Sequence, residues 1–355
     1  MKKHIRVVII LMSIFLLACT NDDDQPLTSF AFENGILVLN EGGFNNGNAS
    51  ISFIPDDLST VTNSIFNGIN NRLLGDVAQS ITFNDDLAYI VVNNSQTIEV
   101  VNRFTFELVG TINSGLLNPR YMVIEGGKGY VTNWGDGLNP DDDFVAIINL
   151  QSLTVESSIS VPEGPEWIVN HQGIIYIAHQ GGFNQNNIVS VLDTSSNTLG
   201  RTITVGYRPN SMHVVGNDLW VLSGGNPVFS GNETAGQLDR INLNTNSIST
   251  SFTFSLTDHP NYLSVEGEEL YYFLNGAIFK MNVADSSLPT MSEITNVSFF
   301  DMTVSNGRLY GVDAKDFASP GSLEVYDLSQ NSLIKSLEVS IIPGGVYFNR
   351  SPSLQ

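Results

Sequence analysis

Four stretches of this chain follow one plan. "NPRYMVIEGGKGYVTN" starts at Asn118, "GPEWIVNHQGIIYIAH" at Gly164, "RPNSMHVVGNDLWVLS" at Arg208 and "HPNYLSVEGEELYYFL" at His259. In each, a Pro is followed eleven residues later by an aromatic: Pro119 to Tyr130, Pro165 to Tyr176, Pro209 to Trp220, Pro260 to Tyr271. Two weaker copies lack the Pro, "AQSITFNDDLAYIV" ending near Tyr89 and "FFDMTVSNGRLYGV" around Tyr310. Such repetition narrows the fold at once. One short unit cannot bury its own apolar face, so the copies must stack on each other.

Each unit reads as four strands. The first is an alternating run such as "YMVI" or "SITF". A tight turn rich in Gly, Asn or Asp follows, and the second strand carries the aromatic. The third is "IEVVN", "FVAIINL", "IVSVLD" or "SLEVYDL", and the fourth "ESSISV", "GRTITV", "STSFTF" or "IKSLEV". β-branched residues with period-2 alternation support strands throughout, and no segment carries a clear helical stripe.

The second-strand position falls at Leu37, Tyr89, Tyr130, Tyr176, Trp220, Tyr271 and Tyr310, in steps of 52, 41, 46, 44, 51 and 39 residues. That is the repeat of a four-stranded propeller blade. The N-terminal unit starts directly at a second strand, "NGILVLN". The chain ends on an orphan first strand, "IPGGVYFNR". The expectation is an all-β, seven-bladed β-propeller with four antiparallel strands per blade. The C-terminal "VYF" completes blade one, so no edge strand is left open. Residues 30–355 form this one domain.

The N-terminus adds an address. "MKKHIR" is basic, and the apolar run "VVIILMSIFLLA" is too short to span a bilayer as a stable anchor. It ends in "LLAC", with Leu16 at −3, Ala18 at −1 and Cys19 at +1, and resembles a bacterial lipoprotein signal peptide over residues 1–18. Cys19 is the only cysteine, so an intramolecular disulfide is excluded and lipidation is its expected fate. "TNDDDQ" follows within the linker at 19–29. It is either a solvated acidic spacer or, by resemblance, the export signal that sends lipoproteins of Bacteroidetes-type bacteria to the outer face of the outer membrane. The membrane is then touched through the lipid anchor only.

Removing residues 1–18 leaves 12 Lys+Arg against 36 Asp+Glu, a net −24. That sign repels phosphate backbones and argues against nucleic acid as a partner. It draws cationic ligands only where carboxylates converge.

Propeller topology puts two sets of residues on one face. The first set is the loops from second to third strand, which are long and variable here, as functional loops on a rigid scaffold tend to be. "NEGGFNNGNAS" contributes Glu41 and Phe44. "NWGDGLNPDDD" contributes Trp134 and Asp136, "HQGGFNQNN" His179 and Phe183, and "SGGNPVFSGNETAG" Phe229. The first and third of these share a plan, with His179-Gln180 standing where Asn40-Glu41 stand. A Gly/Asn loop has no structural need of a bulky ring, so the rings either fold back on their own blades or line a cup. The second set follows each Pro: Arg120-Tyr121, Glu166-Trp167, Asn210-Ser211, Asn261-Tyr262 and, more loosely, Gln79-Ser80 and Phe300-Asp301. These stand at the mouth of the central channel. They suit a planar, hydrogen-bonding ligand, unless the aromatics pack between blades. His171 and His213 lie near blade turns, where a structural role is expected, whereas His179 could face a ligand.

The lipobox, the acidic tail, "VLNEGGFNNGNASIS" and the Pro-led repeat together make the chain similar to the YncE-like, seven-bladed surface lipoproteins of the DUF5074 group. Members of that group include BtuG-type proteins, which cap a TonB-dependent outer-membrane transporter and capture cobalamin. The resemblance implies a non-enzymatic, ligand-capturing surface protein with a transporter partner and no cofactor, a corrinoid being the first candidate ligand. No complete cobalamin-binding signature is present. Its candidate binding residues are Glu41, Phe44, Arg120, Tyr121, Trp134, Asp136, Glu166, Trp167, His179, Phe183, Asn210 and Tyr262.

Two other classes compete. One is a protein–protein scaffold. The other is a metal-dependent propeller lactonase or lyase, for which Glu41, Glu166, Asn210, Asn261 and Asp301 could supply axial oxygens. "GDGLNPDDD" (Gly135 to Asp143) lacks EF-hand spacing and reads as a solvated acidic loop or a structural Ca²⁺ loop. Nothing indicates a nucleophilic triad: no Gly-x-Ser-x-Gly occurs, and the histidines lack metal-ligand spacing.

Overall fold

A computed structural model describes residues 31–350. Cys19, the signal peptide and the acidic linker lie outside them. Seven antiparallel sheets follow one another around a ring. Blade two runs Ala78–Asn84, Leu87–Val92, Thr97–Asn102, Leu108–Ile112. The same order, innermost strand first, holds in blades three to seven, whose first strands start at Pro119, Pro165, Pro209, Asn261 and Asp301.

The ring closes as the sequence implies. Pro343–Asn349 pairs antiparallel with Gly35–Asn40 and becomes the first strand of blade one. It also packs against the first strands of blades seven and two, so each innermost strand touches the next around the axis.

The second-strand residues explain the repeat. Leu37, Tyr89, Tyr130, Tyr176, Trp220, Tyr271 and Tyr310 are all buried. They fill the seams between blades, where sheet faces stack. Two of them also reach across the seam: Tyr130 Oη donates to Asn197 Oδ1 at 3.0 Å and Tyr176 Oη to Asn246 Oδ1 at 2.6 Å. A buried phenol needs such a partner.

Blade one departs from the simple pattern. Its sheet has three strands, and its outermost position is reduced to a single bridge between Phe53 and Thr62. A short helix, Ile65–Asn70, follows, where no helix was expected from sequence. At six residues it is too short to show a periodic stripe. Phe66 anchors it, fully buried, and Asn70 ties it to blade two by donating to Phe106 O and accepting from Leu108 N, both at 2.9 Å.

Candidate functional site

In five of the seven blades the chain enters the innermost strand through a kink. Val77, Asn118, Gly164, Arg208 and Ile342, each just before the first-strand start, adopt positive φ. Side chains just inside the strand starts, among them Gln79, Tyr121, Glu166, Trp167, Asn210 and Ser211, face the axis. These form the walls of a cavity of about 530 Å³ at the mouth of the ring.

Six of the expected binding residues meet there: Glu41, Tyr121, Glu166, Trp167, Asn210 and Tyr262. Asn261, beside Tyr262, joins them, as do Gln79 and Asp301 from the junctions of blades two and seven. Residues that sequence reasoning had not placed there also line it: Gln180, Arg208, His213, Gly344 and Tyr347. Gln180 had a signal, since it aligns with Glu41 in the repeated loop. Tyr347 had none until the ring closed.

His179 does not face the cavity. It is fully buried, and its Nδ1 lies 2.8 Å from Pro162 O. Burial holds its pKa down at about 4, so it stays neutral. Asn40 and Asn133 occupy the same second-strand end and are also fully buried. Each donates from Nδ2 back to a carbonyl two residues earlier, Val38 O and Val131 O. This position is a polar lock on the loop, and the residue after it points inward in the two repeated loops. His213, expected to be structural, does line the cavity, with Nε2 2.8 Å from Leu263 O.

The loop aromatics do not form the cup. Phe44 and Phe183 are 69% and 72% exposed, and Phe229 84%. Asp136 is exposed and caps its own loop, accepting from Leu138 N. Phe183 packs edge-on against Trp134 with centroids 6.1 Å apart. The Arg120 guanidinium covers the Trp134 ring at 4.1 Å. Arg120 is itself held by Glu166 through two hydrogen bonds of 2.8 Å. These four residues thus make a chain running outward from the cavity wall, and Arg120 stands behind Glu166.

The inner end of the cavity is aromatic. Trp167 packs at a tilt on Tyr121 with centroids 4.7 Å apart and against His213 at 6.3 Å. Its Nε1 donates to Met212 O at 3.1 Å. Trp167 and His213 also line a second cavity, of about 540 Å³, on the opposite face. They therefore stand between the two ends of the channel.

Carboxylates converge at the junction of blades seven and one. Burial pushes Glu41 up to about 7, with Arg120 opposing and Glu166 adding to the rise. Burial likewise raises Asp301 to about 7, against the Met302 amide and with help from Glu41. The Tyr262 and Tyr347 phenols are raised by burial and by these same two acids, and all four groups line the one cavity. Glu41 is tied through its backbone, N donating to Ile342 O at 2.8 Å, and among the described residues its carboxylate meets no salt-bridge partner or hydrogen-bond donor. No group of three or more described His, Cys, Asp or Glu is arranged to hold a metal ion.

The DUF5074 family, described as a domain of unknown function, matches residues 34–342. The chain belongs to this family. No protein of curated function matches it. Among solved structures, a functionally unknown protein from Desulfotomaculum acetoxidans is similar at 15% identity and TM-score 0.66, covering 90% of this chain and 99% of that one. A quinonprotein alcohol dehydrogenase-like protein from Bacteroides thetaiotaomicron follows at 13% identity and TM-score 0.64, covering 90% and 79%. Hydrazine synthase from Kuenenia stuttgartiensis gives 14% identity and TM-score 0.56 over 80% and 97%. At these identities the likeness is one of fold. The DUF5074 match ends at Ile342, just before the strand that closes the ring.

Proposed function

We propose that this DUF5074 protein is a surface-anchored lipoprotein that captures a small ligand in the mouth cavity and passes it to a TonB-dependent transporter of the outer membrane. One observation carries the reading. The seven blade junctions deliver carboxylates, amides and aromatic rings to one concave space, and among the described residues the half-buried Glu41 carboxylate there has no hydrogen-bond donor. A half-buried acid raised by desolvation is costly for the fold alone, and such sites cluster where ligands bind.

A corrinoid is the first ligand to try. It would lie across the mouth, its apolar face against Phe44 and Phe183 and its amide fringe toward the cavity. Burying both rings should contribute roughly 1.5–3 kcal/mol each. Calorimetric titration with cobalamin should therefore show Phe44→Ala with Phe183→Ala weaker by on the order of a hundredfold or more. Absence of binding by the wild type removes the corrinoid. Capture itself is tested by a thermal-shift screen of small molecules against the wild type and Asn210→Trp, which fills the mouth. No ligand whose effect is lost in Asn210→Trp means no capture at this site.

Anchoring has its own test. Cys19→Ser should release the protein from the membrane fraction, because acyl chains would provide the attachment. Unchanged retention would overturn the lipid anchor.

The scaffold reading draws on the same exposed face. Leu138, Val228 and Phe229 are 87%, 70% and 84% exposed on loops around the mouth. Exposed apolar side chains gathered on one face favour a protein partner there, which the transporter itself would satisfy.

A further inference from the structure

The geometry points to a small organic ammonium compound as the ligand of the mouth cavity, its positive end held between Glu41 and Asp301 among the rings of Tyr262 and Tyr347. This inference rests on the capture reading and names its ligand class.

The charges are arranged unevenly around the ring. Glu166 is already neutralised by its two hydrogen bonds from Arg120. Glu41 and Asp301 have no such partner: neither forms a salt bridge among the described residues. Both line the cavity, from the adjoining blades one and seven. Arg208 is the cation among the lining residues. It enters at the junction of blades four and five, across the ring from the two acids, and neither acid is perturbed by it. His213, also facing in, is held neutral by burial, which lowers its pKa. Arg120 acts on Glu41 from behind the wall, but its guanidinium is committed to Glu166, so the blade-seven and blade-one side of the cavity carries two acids with no cation paired to either.

The walls there suit an organic cation better than a bare metal ion. Tyr262 and Tyr347 line the same cavity as the two acids, and both acids act on their phenols. Aromatic faces attract ammonium groups, most strongly when the site is desolvated, and cages of such rings recognise quaternary amines. A metal ion would need several convergent oxygens at short range, and the described acids and histidines do not form such a group. A strongly acidic chain also attracts cations toward the mouth.

The test uses the mature protein and three probes: choline, its uncharged carbon isostere dimethylbutanol, and Ca²⁺. Titration should show choline binding at least tenfold more tightly than dimethylbutanol. Glu41→Gln and Asp301→Asn should each weaken choline at least tenfold while leaving the neutral probe unchanged. Affinity for choline should rise as pH passes upward through about 7, where both acids ionise. Equal binding of the two organic probes would overturn the inference, because the site would then read shape rather than charge. Failure of choline to bind, or Ca²⁺ binding in preference to choline and lost in Glu41→Gln, would overturn it too. The capture reading fails separately: it falls only if cobalamin and every neutral or charged molecule in the screen leave the cavity empty.

Discussion

Gly344 leaves room for the Glu41 carboxylate: a Cβ added to it would stand 2.6 Å from Glu41 Oε1 and 3.0 Å from its Cγ. The two residues are 303 positions apart in the chain and meet only because the last strand closes the ring. Gly344→Ala should push the flexible Glu41 side chain aside and leave the backbone alone. Stability should change by less than about 1 kcal/mol. Ligand binding and its dependence on Glu41 should both be lost. Thermal melting and titration of the variant check this. Intact binding would mean that the glycine serves only the strand.

Glu41 and Asp301 should also give the fold a pH signature. Both have folded pKa values near 7, above their ordinary values of 4.5 and 3.8. Between those values and about 7 the folded chain holds protons that the unfolded chain has released. Stability from these groups is therefore complete below the ordinary range and lost as pH rises through about 7. Asp143, also raised to about 7, adds the same sign, and His179, lowered to about 4, acts oppositely at the acid end. The double variant Glu41→Gln, Asp301→Asn isolates the pair. Its melting temperature should fall less than that of the wild type between about pH 5 and 8. Parallel curves would show that the two acids ionise normally.

The blades were legible because their signals are local. Period-2 alternation, a Pro at the strand start and an aromatic on the second strand recur within each unit, and Tyr89, Tyr130, Tyr176 and Trp220 are buried where that pattern puts them. Ring closure was legible because the first unit lacked a strand and the end of the chain had one to spare. The outer edge of blade one was not. Six helical residues held by Phe66 and Asn70 depend on contacts with blade two, which no local pattern carries. The site was half legible for the same reason. Junction residues could be placed by topology. The position of the loop aromatics was not legible, because a ring in a polar loop reads the same whether it lines a cavity or stands in solvent at its rim, as Phe44 does at 69% exposure. Asp301 and Tyr347 become partners of Glu41 only when blades seven and one meet.

Arg120 holds together what lies behind the cavity wall. Its guanidinium bridges Glu166 and the Trp134 ring, and the Arg120 and Glu166 side chains are 14% and 6% exposed. Removing one member of a buried pair leaves the other charge uncompensated, which costs about 3–5 kcal/mol. Arg120→Met should therefore destabilise strongly in denaturant unfolding. Adding Glu166→Leu should recover most of the loss, since an apolar replacement of both partners is often near neutral. A single variant costing under about 1 kcal/mol would place the pair in the class of weak surface bridges.

The closing strand should decide whether the ring stands at all. Pro343–Asn349 lies beyond the region matched by the family, yet it supplies blade one's innermost strand. Asn349 is fully buried at its end. Its Nδ2 donates to Phe32 O at 2.6 Å and Arg103 O at 2.7 Å, and its Oδ1 accepts from Arg103 Nε at 2.6 Å. One amide thus ties the strand that closes the ring to blade two and to the start of the described chain. Ending the chain after Ile342 opens the innermost edge of blade one and exposes Val38, Leu39 and their neighbours, so the truncated protein should melt well below the full mature chain or fail to fold. Asn349→Ala is the gentler probe. It leaves two carbonyls and the Arg103 Nε–H without their amide partner, while the rest of the guanidinium keeps Asp85 O and Arg350 O, at about 1–3 kcal/mol for each group left unsatisfied. Its unfolding midpoint in urea should fall with an unchanged slope. If the truncated chain melts at the temperature of the full mature protein, the ring does not depend on this strand and the closure described here is wrong.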